Sequence, residues 1–192
     1  MGYDTNGASR PSLGRHLLHS YAMVIYIPDP LGRFLDDLRR ELIPTYRPHA
    51  HISVLPPRAL AGHEIAARDH LRQVAAEISP FDIEASEIAV FPVTDVIYLE
   101  VADGNEELRS IHRRLNSGAL ESEEPFGYHP HITLAQDFDP EELNRICSIA
   151  RGRWAEYTGS RRFRAERMTL VQNRPGNVWV DVDEHELGAV LV

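Results

Sequence analysis

Two stretches of the sequence share one pattern, and the fold is organised around them. The first is His49-Ala50-His51-Ile52-Ser53-Val54, and the second, eighty residues later, is His129-Pro130-His131-Ile132-Thr133-Leu134. Alternation of polar with β-branched or aliphatic residues is typical of a strand with one buried face. Residues two apart in a strand point to the same side. Each stretch therefore predicts a strand that buries its aliphatic residues and leaves a histidine and a hydroxyl together on its polar face.

The repeated His-x-Ser/Thr pattern resembles the motifs of the 2H phosphoesterase superfamily, the two-histidine group that includes 2′-5′ RNA ligases and RNA cyclic phosphodiesterases. The motifs are His51-Ile52-Ser53-Val54 and His131-Ile132-Thr133-Leu134. Many members carry an arginine soon after the second motif, whereas this chain continues with Ala135-Gln136. The resemblance implies an α+β fold of two similar lobes, each with a small antiparallel sheet and helices. The two motif strands would line the central cleft that the lobes share.

The order of predicted elements agrees with two lobes. Apolar runs and alternation predict strands at residues 19–27, 50–55, 81–90, 96–101, 163–172 and 177–182 besides the second motif, with a short last strand at 187–192. Helical spacing predicts helices at residues 31–43, 62–78, 105–116 and 139–151. We expect a loose tail in residues 1–14 and a single bilobal domain in residues 15–192.

Composition restricts the compartment and the partners. A chain of 192 residues with 43% hydrophobic content suits one globular domain, and its single cysteine, Cys147, excludes an internal disulfide. No apolar run approaches membrane-spanning length, so we expect no membrane partner, a cytoplasmic location and a monomer. The net charge of −9 disfavours long duplex nucleic acid. An RNA 3′ end, a nucleotide or a small cyclic phosphate remains as partner.

Two histidines suit the chemistry of phosphate esters. One group must take a proton from the attacking oxygen and another must give one to the leaving oxygen, and imidazole can do either near neutral pH. We predict that His51 and His131 are this pair, with no metal or other cofactor, and the sequence leaves open which is the base. Ser53 and Thr133, on the same faces, would donate hydrogen bonds to the phosphate oxygens.

Two further residues have candidate roles in the cleft. Arg58 directly follows the first motif strand and could bind the phosphate, although a solvated loop arginine is an equal alternative. Tyr128 could stack on a base at the cleft mouth, and its alternative is a plain packing residue.

Two rival functions remain open. His49 and His129 complete two His-x-His pairs, which could chelate a transition metal in a metal-dependent hydrolase, but no carboxylate is adjacent to either pair. A non-catalytic module that binds nucleotides or RNA ends is the other rival, and two intact motifs disfavour it. We predict a metal-independent phosphoesterase for a 2′,3′-cyclic phosphate or a 2′-5′ phosphodiester, with ligation as the reverse reaction. The natural substrate stays open.

Overall fold

The computed structural model describes residues 19–189. In this part of the chain, strands β1 to β8 are Tyr21–Tyr26, His51–Arg58, Phe81–Val90, Ile97–Val101, His131–Ala135, Arg162–Ala165, Arg167–Arg174 and Val178–Glu186. Helices α1 to α4 are Leu31–Leu42, Glu64–Ala76, Asn105–Leu115 and Leu143–Glu156, and two short 3₁₀ helices are Gly118–Leu120 and Pro140–Glu142. None of the described helices is long and apolar enough to span a membrane.

The strands form two four-stranded sheets, in which all the pairings are antiparallel. The first sheet has the order β2-β1-β7-β8, and the second has the order β5-β4-β3-β6. Each motif strand, β2 or β5, is therefore an edge strand of its own sheet. These two edge strands contact each other across the middle of the molecule. The predicted α+β fold of two lobes, with the motif strands at a shared cleft, is confirmed.

The internal repeat lies in the units that contain the motifs. The unit β1-α1-β2 in the first lobe corresponds to β4-α3-β5 in the second. Both helices bury aliphatic residues at the same spacing: Leu35, Leu38 and Leu42 in α1, and Leu108, Ile111 and Leu115 in α3. Helix α1 packs against β5, and α3 packs against β2. Because each helix contacts the motif strand of the other lobe, both lobes contribute to one buried apolar cluster.

The predicted single strand at 163–172 is wrong. It divides at Glu166 into β6, which pairs with β3 in the second sheet, and β7, which pairs with β1 in the first. The Glu166 carbonyl accepts a hydrogen bond from Leu187 N at 2.8 Å. This division returns the C-terminal hairpin, β7 and β8, to the first lobe. The hairpin of β3 and β4 belongs to the second lobe, so each lobe contains elements from both halves of the chain.

Two predicted strand ends also differ from the structure. Strand β2 continues through Pro56 and Pro57 to Arg58, which pairs with Tyr21. An edge strand tolerates proline because its outer side has no ladder hydrogen bonds to lose. At the other end of the chain, the described residues 187–189 are not in a strand, because β8 ends at Glu186. Residues 190–192 and the predicted tail at 1–14 lie outside the described residues.

Candidate active site

His51 lies at the start of β2, with its ring held by the main chain. Its Nδ1 is 2.6 Å from the His49 carbonyl oxygen. A carbonyl oxygen only accepts, so Nδ1 carries the hydrogen and the lone pair of the neutral ring is on Nε2. The neighbouring Ile52 and Val54 are fully buried, which fixes the strand from its opposite face.

His131 repeats this arrangement at the start of β5. Its Nδ1 is 2.7 Å from the His129 carbonyl oxygen, and Ile132 and Leu134 behind it are fully buried. Both histidines therefore have the same tautomer, with Nε2 free of that contact. The first residue of each His-x-His pair contributes its main-chain carbonyl, which explains the pattern without requiring its side chain.

Burial shifts both histidines toward the neutral form. The pKa of His51 is lowered to about 4, first by burial and then by the positive charge of Arg39, with a further contribution from His131. The pKa of His131 is also lowered, mainly by burial. At neutral pH in the absence of a ligand, both rings are therefore predominantly neutral. The two rings are carried by β2 and β5, which contact each other.

Ser53 and Thr133 lie on the same faces as the two histidines. Across the strand pairs, Ser53 is opposite Val24 and Thr133 is opposite Tyr98. Both residues are half-buried. Within residues 19–189, neither hydroxyl has a hydrogen-bond partner, so both can donate to a bound anion.

The side chains of His49 and His129 each contact a carboxylate. The His49 side chain is 81% exposed, with Nδ1 2.8 Å from Asp36 Oδ2, and His129 Nε2 is 2.8 Å from Glu100 Oε2. Asp36 Oδ1 also accepts from Ala50 N at 2.6 Å, which anchors the entrance of β2 to α1. Among the described residues, no three His, Cys, Asp or Glu side chains are grouped so that they could hold a metal ion.

The structure gives Arg58 a structural role in place of the predicted phosphate-binding one. Its side chain is only 3% exposed. Its Nε donates to the Pro56 carbonyl at 3.0 Å, Nη1 donates to Asn116 Oδ1 at 2.7 Å and to the Leu120 carbonyl at 3.0 Å, and Nη2 pairs with Glu124. Four of its five N–H donors have partners within the protein, and they tie β2 to the segment between α3 and β5. The buried guanidinium is therefore not presented to a substrate.

Tyr128 takes the packing role, and the geometry does not favour the stacking role. Its ring stacks on His112, with centroids 4.1 Å apart and planes within 4°. Its hydroxyl donates to the Ser53 carbonyl at 3.0 Å. One ring face is covered and the hydroxyl is occupied, so Tyr128 links the two lobes beside the first motif.

Arg39 on α1 is a site residue that the sequence interpretation missed. It is fully buried, its guanidinium lies 4.1 Å from the centroid of the Tyr46 ring, and Nη1 is 3.7 Å from Asp36 Oδ1. Among residues 19–189, its Nε and Nη1 have no hydrogen-bond partner. The sequence does carry a signal, because Arg39 directly follows Leu38 within the apolar stripe of α1. A buried cation in this position accounts for part of the low pKa of His51.

Aromatic rings flank both histidines, on the neighbouring strands β1 and β4 and at Phe91, directly after β3. Tyr26 is edge-on to His51, with ring centroids 6.4 Å apart. Phe91 and Tyr98 stack at 4.0 Å, and both are edge-on to His131, at 5.0 and 5.3 Å. Tyr26 and Tyr98 lie on the faces of β1 and β4 that carry the motif side chains of the paired strands. The sequence does not reveal these pairings, so it could not predict the contacts.

A cleft between two similar lobes, with one His-x-Ser/Thr strand from each, defines the class of two-histidine phosphoesterases. The profile of the 2′-5′ RNA ligase superfamily matches residues 27–177, more than half of the chain, and the protein belongs to that family. A Bacillus licheniformis protein named "Putative phosphoesterase" is 26% identical over 172 residues, which cover 88% of this chain and 99% of that protein. A Bacillus pumilus protein of the same name is 29% identical over 171 residues, covering 88% and 97%.

Solved structures share the fold at low sequence identity. Escherichia coli LigT complexed with 3′-AMP has a TM-score of 0.62 and 16% identity, covering 89% of this chain and 99% of that chain. The Thermus thermophilus protein TT0787 has a TM-score of 0.58 and 16% identity, covering 88% and 98%. Both comparisons span both lobes of the present structure.

Proposed function

We propose that this protein is a metal-independent phosphoesterase that hydrolyses a 2′,3′-cyclic phosphate, carried by an RNA 3′ end or by a nucleotide. The observation that carries the proposal is the matched pair His51 and His131. Each has Nδ1 tied to the carbonyl two residues before it and Nε2 free of that contact, and each is followed two residues later by a hydroxyl that has no hydrogen-bond partner within residues 19–189. If an RNA 5′-hydroxyl replaced water as the attacking group, and the ribose 3′ oxygen left phosphorus, the same groups would perform 2′-5′ ligation.

In this mechanism His51 is the base and His131 is the acid. His51 Nε2 takes a proton from water, whose oxygen forms a bond to phosphorus while the bond from phosphorus to the ribose 3′ oxygen breaks. Protonated His131 gives its Nε2 proton to that leaving oxygen, and the net change is the addition of one water. The pKa of about 4 keeps His51 unprotonated and supports this assignment. A bound phosphate would raise the pKa of His131 and favour its charged form.

Ser53 and Thr133 complete the mechanism by stabilising charge. Their hydroxyls would donate to the non-bridging phosphate oxygens as negative charge develops there. Removal of one such donor is expected to cost about 10- to 10³-fold in rate. The buried Arg39 adds positive charge near the base, and its Nε and Nη1 are shielded from solvent.

Small nucleotides are the partners that the chemistry and the comparisons support. LigT has been crystallised with 3′-AMP, with ATP and with NADP+. The net charge of −9 opposes binding to a long duplex, whose affinity rests on many phosphate contacts. Both histidines come from one chain, so we propose that a cytoplasmic monomer is sufficient for activity.

The test is hydrolysis of 2′,3′-cyclic nucleotides with and without excess EDTA, followed by ³¹P NMR. We expect hydrolysis in both conditions, with kcat lowered by about 10²- to 10⁴-fold in His51→Ala and in His131→Ala. The control is His63→Ala, an exposed histidine before α2. His49→Ala and His129→Ala should stay within about tenfold of wild type, because the carbonyls that hold the catalytic rings remain. Activity that is lost in EDTA and restored by one metal would favour the metal-dependent alternative, and binding without turnover would favour the non-catalytic one.

A further inference from the structure

A cavity of about 540 Å³ opens on the first lobe, next to the start of β2. Its walls include Tyr26 from β1, His49 from the entrance to β2, and Trp179 and Asp181 from the edge strand β8. Gly32 of α1 lies at one side. The volume is in the range of pockets that bind small ligands.

The cavity adjoins the proposed catalytic site through a single ring. Tyr26 lines the cavity, and the edge-to-face contact of its ring with His51 spans 6.4 Å between centroids. Tyr26 is also directly opposite His51 in the β1–β2 pairing. A phosphate beside His51 would therefore have the nucleoside attached to it within reach of this cavity.

The cavity lining is suited to an aromatic ring that donates hydrogen bonds. The half-buried Trp179 and Tyr26 both pack against a small buried cluster of Ala22, Val24 and Val171, and the two rings provide surface for stacking. Among the described residues no arginine or lysine lines the cavity, while Asp29, Asp36 and Asp181 do. Such a lining repels a second phosphate and attracts amino groups.

Among the three aspartates, Asp181 has a carboxylate oxygen that can accept a hydrogen bond from a ligand. Its Oδ1 accepts from the Tyr26 hydroxyl at 2.7 Å, and its Oδ2 has no hydrogen-bond partner among residues 19–189. Burial, together with the contact to Asp181, raises the pKa of Tyr26, so the phenol stays a donor and holds the carboxylate in place. Asp29 and Asp36 already accept from Arg33 and from Ala50, respectively.

We propose that this cavity binds the base of the substrate nucleotide and selects bases with an amino group at C4 of a pyrimidine or C6 of a purine, cytosine and adenine, over uracil. Trp179 provides the stacking surface, and Asp181 Oδ2 accepts from the amino group. Uracil has a carbonyl at C4 in place of the amino group of cytosine, as well as a hydrogen on N3. The carbonyl oxygen facing a carboxylate is repelled. This inference rests on the proposed function, because it places the phosphate between His51 and His131.

The first test compares kcat/KM for cytidine and uridine 2′,3′-cyclic phosphates, which share the ribose and the cyclic phosphate and differ in the base. We expect the cytidine substrate to be preferred by about tenfold, as for one hydrogen bond to a charged group. Asp181→Asn keeps the acceptor for Tyr26 and places an NH₂ donor at the former Oδ2 position, so the preference should be lost or reversed. Trp179→Ala should raise KM for both substrates by about tenfold. The matched control is Val178→Ala, at an exposed residue of the same strand outside the cavity.

Two further measurements separate this inference from the proposed function. Glycerol 1,2-cyclic phosphate has no base, so its hydrolysis should be unaffected in Trp179→Ala and Asp181→Asn. Calorimetric binding of 3′-CMP and 3′-UMP needs no turnover. Tighter binding of 3′-CMP that is lost in Asp181→Asn supports the base site even if hydrolysis is absent. Equal affinity for the two nucleotides, or a preference unchanged in Asp181→Asn, overturns it even if hydrolysis is present.

Discussion

At the scale of single residues, the environment of His51 combines two influences that act in the same direction. Burial and the neighbouring Arg39 both disfavour the protonated ring, while its hydrogen bond to the His49 carbonyl acts in the opposite sense. The net effect is a pKa of about 4, below the ordinary value of 6.5. His51 is then predominantly unprotonated at any pH above this value, which is the state a general base needs.

The first prediction at this scale concerns the pH dependence of kcat/KM, which reports the free enzyme. As pH falls, activity should be lost only near pH 4, where His51 becomes protonated. As pH rises, activity should fall when His131, whose pKa is also lowered, loses the proton it must give. The optimum is therefore expected on the acidic side of pH 6.5. Arg39→Met removes the neighbouring positive charge, so the acid limb should move to higher pH.

The matched control for Arg39→Met is Arg40→Met. Arg40 is the next residue on α1, but it is exposed and pairs with Asp37. Its replacement should leave the pH profile unchanged. NMR titration of the His51 ring measures the same shift directly. An acid limb that does not move in Arg39→Met would show that Arg39 has no electrostatic effect on the base.

Residue roles were predictable from the sequence only where the local pattern determines them. Strand alternation places His51 with Ser53 and His131 with Thr133, and the structure has each pair on one face. Arg58 could not be assigned in this way. Its partners Asn116, Leu120 and Glu124 are distant in the chain, and only the tertiary fold brings them to it.

At the scale of elements, the position of α1 depends on a close approach of main chain to main chain. A Cβ on Gly32 would lie 2.1 Å from the Ile27 carbonyl oxygen. That atom belongs to the backbone, so it cannot rotate away as a side chain would. The first turn of α1 is therefore held directly against the end of β1, next to the cavity beside Tyr26.

We accordingly predict that Gly32→Ala destabilises the protein by about 1–3 kcal/mol, the range for overpacking, because α1 must shift to relieve the overlap. Urea unfolding measures this change. The control is Gly152→Ala in α4, where an added Cβ meets no atom within 4 Å. It should stabilise the protein by about 0.5–1 kcal/mol, since alanine suits a helix interior better than glycine. A Gly32→Ala protein as stable as wild type would contradict the close contact.

Helices and strands were predictable where their hydrophobic periodicity is strong. Strand boundaries were missed where they depend on which sheet the strand joins. The leucine spacing of α1 predicted that helix, and alternation predicted the core of each motif strand. The break at Glu166 leaves no sequence mark, because β6 and β7 are both good strands and differ only in the sheet they join. Pro56 and Pro57 indicated that β2 ends before them, but β2 is an edge strand and tolerates proline.

At the scale of the whole molecule, the two histidines depend on the packing of one lobe against the other. The Tyr128 hydroxyl donates to the Ser53 carbonyl, which joins the segment before β5 to β2. Arg58 at the end of β2 binds Leu120 and Glu124 of the connector. Helices α1 and α3 each pack on the motif strand of the opposite lobe. These contacts set the separation of the two rings, so the site exists only in the assembled fold.

The last prediction tests whether that assembled pair acts as one unit. In the proposed mechanism the two proton transfers are coupled, so once either histidine is absent the other has little left to contribute. The fold-reduction in kcat of the double variant His51→Ala/His131→Ala should therefore be far smaller than the product of the two single reductions. Its kcat should be close to that of the less active single variant. Single-turnover rates of all four proteins on one 2′,3′-cyclic nucleotide measure this. Urea unfolding of the same proteins checks that each is folded. Losses that multiply, in proteins that remain folded, would mean that His51 and His131 act independently and would refute the coupled acid and base.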